Sequence, residues 1–231
     1  MALPSISTPE FITNIPSTGE EIKYRPFLVK EEKLLLMAME GKDQKEIQNS
    51  VQNILVNCIL TPIDINKLAT FDIEYLFLKL RSKSVGEVVQ IKVGHTDSEC
   101  AHRTDVSVNV DDVKVVGEIL DGKIMLTDDI GVVLRYPNMS DIQTVIGEDT
   151  DALFKLVYRC IDYVFDQEQV YNDFTEKEIE EWMETLNQGQ FQKISEFFNS
   201  VPRLSHDITW KCKECGQEEK ITLEGLQSFF T

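Results

Sequence analysis

The segment Phe71–Arg81 (FDIEYLFLKLR), followed closely by Val85–Val93 (VGEVVQIKV), decides the fold class of this sequence. On a helix, the first stretch is apolar around much of its circumference, which predicts a buried helix. The second stretch alternates apolar and polar residues, which predicts a strand with one buried face. Because the chain contains both helical segments and alternating, strand-like segments, we expect an α+β fold.

Alternation continues beyond this segment and predicts β-hairpins. Arg103–Val110 (RTDVSVNV) alternates in the same way and is expected to pair with 85–93. Two further pairs of segments predict hairpins: Lys123–Leu126 with Gly131–Tyr136, and Asp207–Lys211 with Glu219–Leu223. The sequence therefore predicts a helical core with two or three antiparallel β-hairpins, of which one or two resemble zinc knuckles.

Helical spacing recurs on both sides of these hairpins. It covers 29–40, 45–60, an apolar stripe over 153–165 that includes Cys160, a helix opened by the Thr175/Glu178 capping box, and 191–198. Five regions follow from these patterns. They are an extended N-terminal arm (1–20), a helical region with a short edge strand (21–84), a β-hairpin region (85–137), a second helical region (138–200), and a C-terminal Cys-x-x-Cys hairpin (201–231) that packs back on the first hairpin.

The composition is that of a globular protein with an acidic surface. Of the 231 residues, 42% are hydrophobic and 27% are charged, and the formal net charge is -17. This charge argues against nucleic acid and anionic membranes as partners and favours basic proteins, although it is equally expected of a surface that is merely well solvated. The sequence shows neither an apolar run of membrane-spanning length nor a secretory signal, so we expect a cytoplasmic location.

The segment Trp210–Gly216 (WKCKECG) carries the clearest chemical motif. Cys212 and Cys215 are three residues apart with a glycine after the second, a spacing that turns both thiolates toward one point. Tetrahedral zinc takes four N or S ligands, so this knuckle supplies half of a site. His95, Cys100 and His102 lie in the loop of the first predicted hairpin. The sequence therefore predicts zinc ligands at Cys212, Cys215, Cys100 and His95, with His102 as the alternative to His95.

Other interpretations of these residues remain open at this stage. The Cys-x-x-Cys segment is alternatively a metal-free turn, whereas a redox role lacks the βαβ context that such motifs need. Cys58 and Cys160 lie on apolar stripes and are expected in the core, and His206 is expected at the surface. No phosphate-binding, nucleophile-elbow or His-Glu-x-x-His motif occurs, so no catalytic residue is predicted. Any zinc is expected to be structural, because four Cys and His ligands leave no position for substrate.

Two segments resemble a known family. Lys23–Ala38 (KYRPFLVKEEKLLLMA) and Cys58–Glu87, which includes CILTPIDINKLA, are similar to the T4-type phage baseplate hub subunit and hub assembly family. The resemblance implies a non-enzymatic hub protein or chaperone-like assembly factor of a contractile tail. Its partners would be hub or wedge proteins, in the host cytoplasm during assembly and in the virion baseplate if it stays there. The resemblance also implies a Cys pair in the first hairpin, as relatives often carry one. This sequence has only Cys100 there, a departure that either removes the zinc site or replaces a thiolate with imidazole.

Two functions of other classes compete with this expectation. One is a metal-dependent enzyme that uses the Cys/His hairpins, and the other is a zinc-ribbon nucleic-acid-binding accessory protein. The first requires an open metal position beside a carboxylate-lined pocket. The second fits poorly with the acidic composition.

Overall fold

The computed structural model describes residues 6–41, 43–95, 100–144 and 150–229. The chain divides into two compact units. Unit 1 comprises residues 1–65, 71–116 and 203–231, and unit 2 comprises residues 66–70 and 117–202. Among the described helices, none has the length and apolar character needed to span a membrane.

Helices and small antiparallel sheets confirm the predicted α+β class. The α-helices of the described residues are α1 (Val29–Gly41), α2 (Gln44–Cys58), α3 (Thr70–Val85), α4 (Met139–Thr144), α5 (Thr150–Arg159), α6 (Glu176–Met183) and α7 (Gln188–Asn199). The strands are β1 (Phe11–Asn14), β2 (Glu21–Tyr24), β3 (Val88–Gly94), β4 (Arg103–Asn109), β5 (Lys114–Val116), β6 (Lys123–Met125), β7 (Gly131–Leu134), β8 (Ile161–Phe165), β9 (Val170–Tyr171), β10 (Arg203–Lys211) and β11 (Glu218–Glu224).

Residues 11–24 form a hairpin in unit 1, where the sequence predicts an extended arm over residues 1–20. Residues 1–5 of that predicted arm lie outside the described part of the chain. Strand β1 pairs antiparallel with β2, and Ile15 in the connecting turn is only 1% exposed. The backbone N–H and the hydroxyl of Ser17 donate to the two carboxylate oxygens of buried Asp72, at 2.9 and 2.6 Å. Because Asp72 lies 55 residues away on α3, no local pattern reveals this attachment.

Helices α2 and α3 bury the apolar faces that their sequences predict. Helix α2 begins after Asp43, whose carboxylate caps it by accepting from the backbone N–H of Lys45 at 2.8 Å. Leu55 and Cys58 on α2 and Phe77 on α3 have no exposed surface. The core position predicted for Cys58 is therefore confirmed.

Two hairpins of unit 1 share one hydrophobic core, and this arrangement positions the candidate site. Strands β3 and β4 form the first hairpin, and β10 and β11 form the second. Val89, Ile91 and Val108 of the first pack in the same buried cluster as Trp210 and Leu223 of the second. Strand β5, three residues long and not predicted, pairs with the beginning of β10.

Unit 2 contains a four-stranded antiparallel sheet in the order β6-β7-β8-β9. The helix predicted over 153–165 is wrong beyond Arg159, because 161–165 form strand β8, which pairs with β7. Its β-branched and aromatic residues favour a strand. Over only five residues, however, the spacing of the apolar residues fits a helix as well as a strand, and the pairing with β7 decides between the two. Cys160 lies at the junction with no exposed surface, as the core prediction requires.

Candidate metal centre

The turns of the two hairpins of unit 1 bring four potential ligands together. His95 directly follows β3 and Cys100 precedes β4, while Cys212 and Cys215 lie in the turn between β10 and β11. One ligand atom from each residue can be chosen such that all four lie within 4.8 Å of one another. Residues 96–99, between the first two, lie outside the described part of the chain.

The Cys-x-x-Cys turn has the backbone geometry of a metal-binding knuckle. The N–H of Cys212 donates to the carbonyl of Gln217 at 2.8 Å, and the N–H of Gly216 donates to the carbonyl of Cys212 at 3.1 Å. Gly216 has a φ of 74°, which explains the glycine after the second cysteine. The backbone N–H groups of Cys215 and Glu214 point at the Cys212 sulfur and help lower the pKa of this thiol to about 6.

The distances between ligand atoms suit a tetrahedral ion. With zinc–sulfur bonds of about 2.3 Å, two thiolates on one tetrahedral zinc stand about 3.8 Å apart. The Sγ atoms of Cys100 and Cys212 are 3.8 Å apart. The Sγ of Cys215 lies 3.2 Å from the Nε2 of His95. Both distances are close to those that a shared tetrahedral ion requires.

His95 is held in the orientation that a metal ligand needs. Its Nδ1 is hydrogen bonded to the carboxylate of Glu219, and its side chain has no exposed surface. The rings of His95 and Trp210 pack with centroids 4.9 Å apart. Because Nδ1–H donates to the carboxylate, Nε2 is the atom presented to the thiols, as in carboxylate–histidine–zinc arrangements.

The same contacts set the protonation of the site when no ion is bound. The Glu219 carboxylate, followed by the thiolate of Cys212, raises the pKa of His95 to about 9. The backbone N–H of His102 acts to lower the pKa of Cys100, but burial and the sulfur atoms of Cys212 and Cys215 outweigh it and leave that pKa raised. An ion bound here would displace the Nε2 proton and the remaining thiol protons, as thiolate and imidazole ligands require.

The other singled-out residues lie outside the cluster. The Nδ1 of His102 is 3.4 Å from a carboxylate oxygen of Glu214, and its side chain is 37% exposed, so of the two histidines only His95 joins the four-residue cluster. His206 lies on β10, partly exposed. Burial raises the pKa of Cys58 to about 11 and that of Cys160 to about 12. These two thiols are therefore protonated and unsuited to redox chemistry or to binding an ion.

Sequence reasoning missed two residues that support the cluster. Glu219 and Trp210 face each other across the β10–β11 ladder, and both contact His95. Their contribution depends on the register of this hairpin and on its packing against the first hairpin. Strand alternation alone indicates that Trp210 is buried, but it contains no signal that joins Glu219 to a histidine 124 residues earlier.

One of the comparisons with known proteins finds a match over nearly the whole chain. A family model described as T4 bacteriophage base plate protein matches residues 8–231. The chain belongs to this family. The match confirms the resemblance to T4-type baseplate proteins, and it covers both units of this baseplate protein. Comparison with curated proteins and with solved structures finds no match for the chain.

Proposed function

We propose that this baseplate protein is a component of the central hub of a contractile phage tail, or a chaperone-like factor that assembles the hub. It acts by binding other proteins and catalyses no reaction. The observation that carries this proposal is the family match over residues 8–231. The likeness of residues 23–38 and 58–87 to hub subunits and hub assembly proteins supports the narrower role.

The proposed ion is zinc, and its role is structural. Three sulfur atoms and one imidazole nitrogen form a donor set that zinc prefers over magnesium or calcium. The four donors come from the turns of two hairpins, so an ion would tie together segments that are more than 100 residues apart in the chain. Four protein ligands complete the tetrahedron and leave no position for a substrate or an activated water, which supports a role without turnover.

The proposed partners are hub or wedge proteins of the baseplate. The formal charge of -17 favours partners with basic surfaces and disfavours nucleic acid and anionic membranes. Binding would take place in the host cytoplasm during tail assembly. A hub component stays in the virion afterwards, whereas an assembly factor leaves.

Co-expression with the hub and wedge proteins of the same phage tests this function. We expect the chain to elute with at least one of them in a fixed ratio from a size-exclusion column at physiological salt. Elution of the chain alone at every salt concentration would contradict the proposal. Quantitative mass spectrometry of purified virions then distinguishes the two forms, because only a hub component is present in fixed copy number.

Elemental analysis tests the ion separately. The protein purified without added metal is expected to contain one zinc per chain, and this zinc should be lost on exposure to a strong chelator at low pH. Protein that contains no zinc, and takes up none when zinc is supplied, would disprove the metal proposal without affecting the baseplate role.

A further inference from the structure

Unit 2 contains an apolar pocket that the proposed function has not used. Its volume is about 330 Å³, and it lies between the sheet and helix α6. Buried Val164 and Ile179 line it. Its aromatic residues are Phe165, Tyr171, Phe174 and Trp182, all of which keep some exposed surface.

Local contacts hold an aromatic ring and the first turn of a helix in place around the pocket, so the pocket is formed before a partner binds. A Cβ atom added to Gly131 would lie 2.3 Å from the tip of the Phe165 ring, so the absence of a side chain at Gly131 lets this ring lie against the strand. At the start of α6, the capping box between Thr175 and Glu178 fixes the first turn. A preformed pocket lowers the entropy that binding must overcome.

The pocket lies in the more acidic part of the chain. Residues 117–202 contain 18 Asp and Glu but only six Lys and Arg. Two carboxylates, Asp166 and Glu178, belong to the pocket lining itself. The Tyr171 hydroxyl and two backbone N–H groups lower the pKa of Asp166, and the backbone and hydroxyl of Thr175 lower that of Glu178. Both carboxylates therefore remain negative at neutral pH.

This combination selects one kind of occupant. Partly exposed aromatic side chains around a buried floor are the usual anchor of a protein interface. The negative lining and surroundings repel nucleic acid and also a second copy of this chain, which carries the same charge. A segment that carries a cation next to an apolar side chain is attracted both by the negative charge and by the apolar lining of the pocket. The faces of aromatic rings also attract Lys and Arg. The chain's own Lys123 already places its Nζ 5.0 Å from the centroid of Phe165.

We infer that this pocket docks a segment of a partner baseplate protein that inserts one large apolar side chain and carries Lys or Arg next to it. The inference rests on the proposed function, because it specifies the chemistry by which the chain recognises a partner. It goes beyond that function in assigning recognition to unit 2, whereas the candidate metal centre belongs to unit 1.

A synthetic peptide tests the pocket without knowledge of the partner. The probe is the capped peptide Arg-Lys-Leu-Lys-Arg, added to the full chain labelled with 5-fluorotryptophan. The chain has two tryptophans, so the ¹⁹F spectrum reports on Trp182 in the pocket and on Trp210 in the other unit. The signal that is missing from the spectrum of the Trp182→Phe variant is assigned to Trp182. We expect saturable movement of the Trp182 signal with a Kd below about 1 mM, while the Trp210 signal stays in place.

Two control peptides separate the apolar and the charged contributions. Replacing the central Leu by Gly, or replacing all four basic residues by Glu, is expected to abolish the saturable shift. Equal binding of the Gly peptide would show that only general charge attraction is at work, and this would overturn the inference. Absence of a Trp182 shift with the original peptide would overturn it as well.

A matched pair of variants tests the position of binding. Ile130 lines the pocket and is 39% exposed, whereas Ile142 belongs to the same unit, does not line the pocket and is 37% exposed. Ile130→Lys adds a positive charge at the pocket and should weaken peptide binding about tenfold or more, while Ile142→Lys should change it less than about twofold. Equal effects of the two variants would overturn the inference.

The same pair distinguishes failure of the pocket from failure of the proposed function. Ile130→Lys is expected to lose a baseplate partner that both wild type and Ile142→Lys retain. If all three proteins bind partners equally, the pocket assignment is wrong and the proposed function stands. If Ile130→Lys disrupts self-association of the chain and not binding of the peptide, the occupant is a second copy and the inference is again overturned.

Discussion

Replacing Cys212 by serine tests whether the four-ligand cluster stabilises the fold through a bound ion. The Cys212 side chain is 2% exposed and belongs to the core shared by the two hairpins. Its sulfur also accepts hydrogen bonds from backbone N–H groups of the knuckle, which help lower the pKa of the thiol to about 6 and so favour the thiolate that binds an ion. A serine hydroxyl is nearly the same size but is a poor zinc ligand, so the substitution removes one bond to the ion with little change in packing.

The size of the effect follows from linkage between binding and folding. Free zinc at about 1,000 times Kd stabilises the folded state by about 4 kcal/mol. Loss of one ligand should weaken affinity at least about 100-fold, since changes in outer-shell partners alone reach that value. At the same zinc concentration the variant then loses about 2.7 kcal/mol of this stabilisation. For a chain of this size, that corresponds to a decrease of about 5–10 °C in Tm.

The assay is thermal unfolding followed by circular dichroism, with zinc present and with chelator present. The control is Cys58→Ser, because Cys58 has no exposed surface and lies in a helix away from the cluster. Burying its hydroxyl should destabilise the protein by about 1–3 kcal/mol whether or not zinc is present. Cys212→Ser should instead lower Tm strongly with zinc and much less with chelator. If the two variants respond to chelator in the same way, the reasoning about the ion is refuted.

Three further predictions concern single side chains. Glu219→Gln should weaken zinc binding about 10- to 100-fold in competition with a chromophoric chelator, because it removes the carboxylate that orients the histidine ligand; Glu214→Gln in the same hairpin should leave the affinity unchanged. Burial acts to raise the pKa of Glu31, but hydrogen bonds and nearby cations lower it overall from 4.5. The unfolded state therefore takes up this proton first, so stability should fall below about pH 4.5 in urea titrations, and less steeply in Glu31→Gln. Gly131→Ala should cost about 1–3 kcal/mol by urea unfolding, because its Cβ would overlap an aromatic ring, whereas Gly189→Ala in α7 should be neutral or stabilising.

The sequence predicted secondary structure best where the apolar residues keep one spacing, helical or alternating, along a whole helix or strand. Helices α2 and α3 and the β3–β4 and β10–β11 hairpins lie close to their predicted ranges. The sequence failed where distant contacts decide the local structure. Strand β1 depends on a turn that is bonded to Asp72, and β8 depends on pairing with β7. In both cases the residues themselves are compatible with more than one structure.

The candidate site was predictable as a set of residue types and much less so as a geometry. Cys-x-x-Cys-Gly indicates a knuckle from spacing alone, and the odd number of cysteines argues against a disulfide framework. The sequence did not decide between His95 and His102, because both lie close to Cys100 in one loop. The structure separates them through the Glu219 carboxylate and the Trp210 ring, which hold only His95 toward the sulfur atoms.

Electron microscopy of particles produced without this chain tests the baseplate role most directly. Host cells are infected with phage from which the coding segment is deleted, and the chain is supplied from a plasmid in the control infection. We predict that particles made without it lack complete baseplates and tails, and that the plasmid restores both. Normal, infectious tails in the absence of the chain would contradict the account.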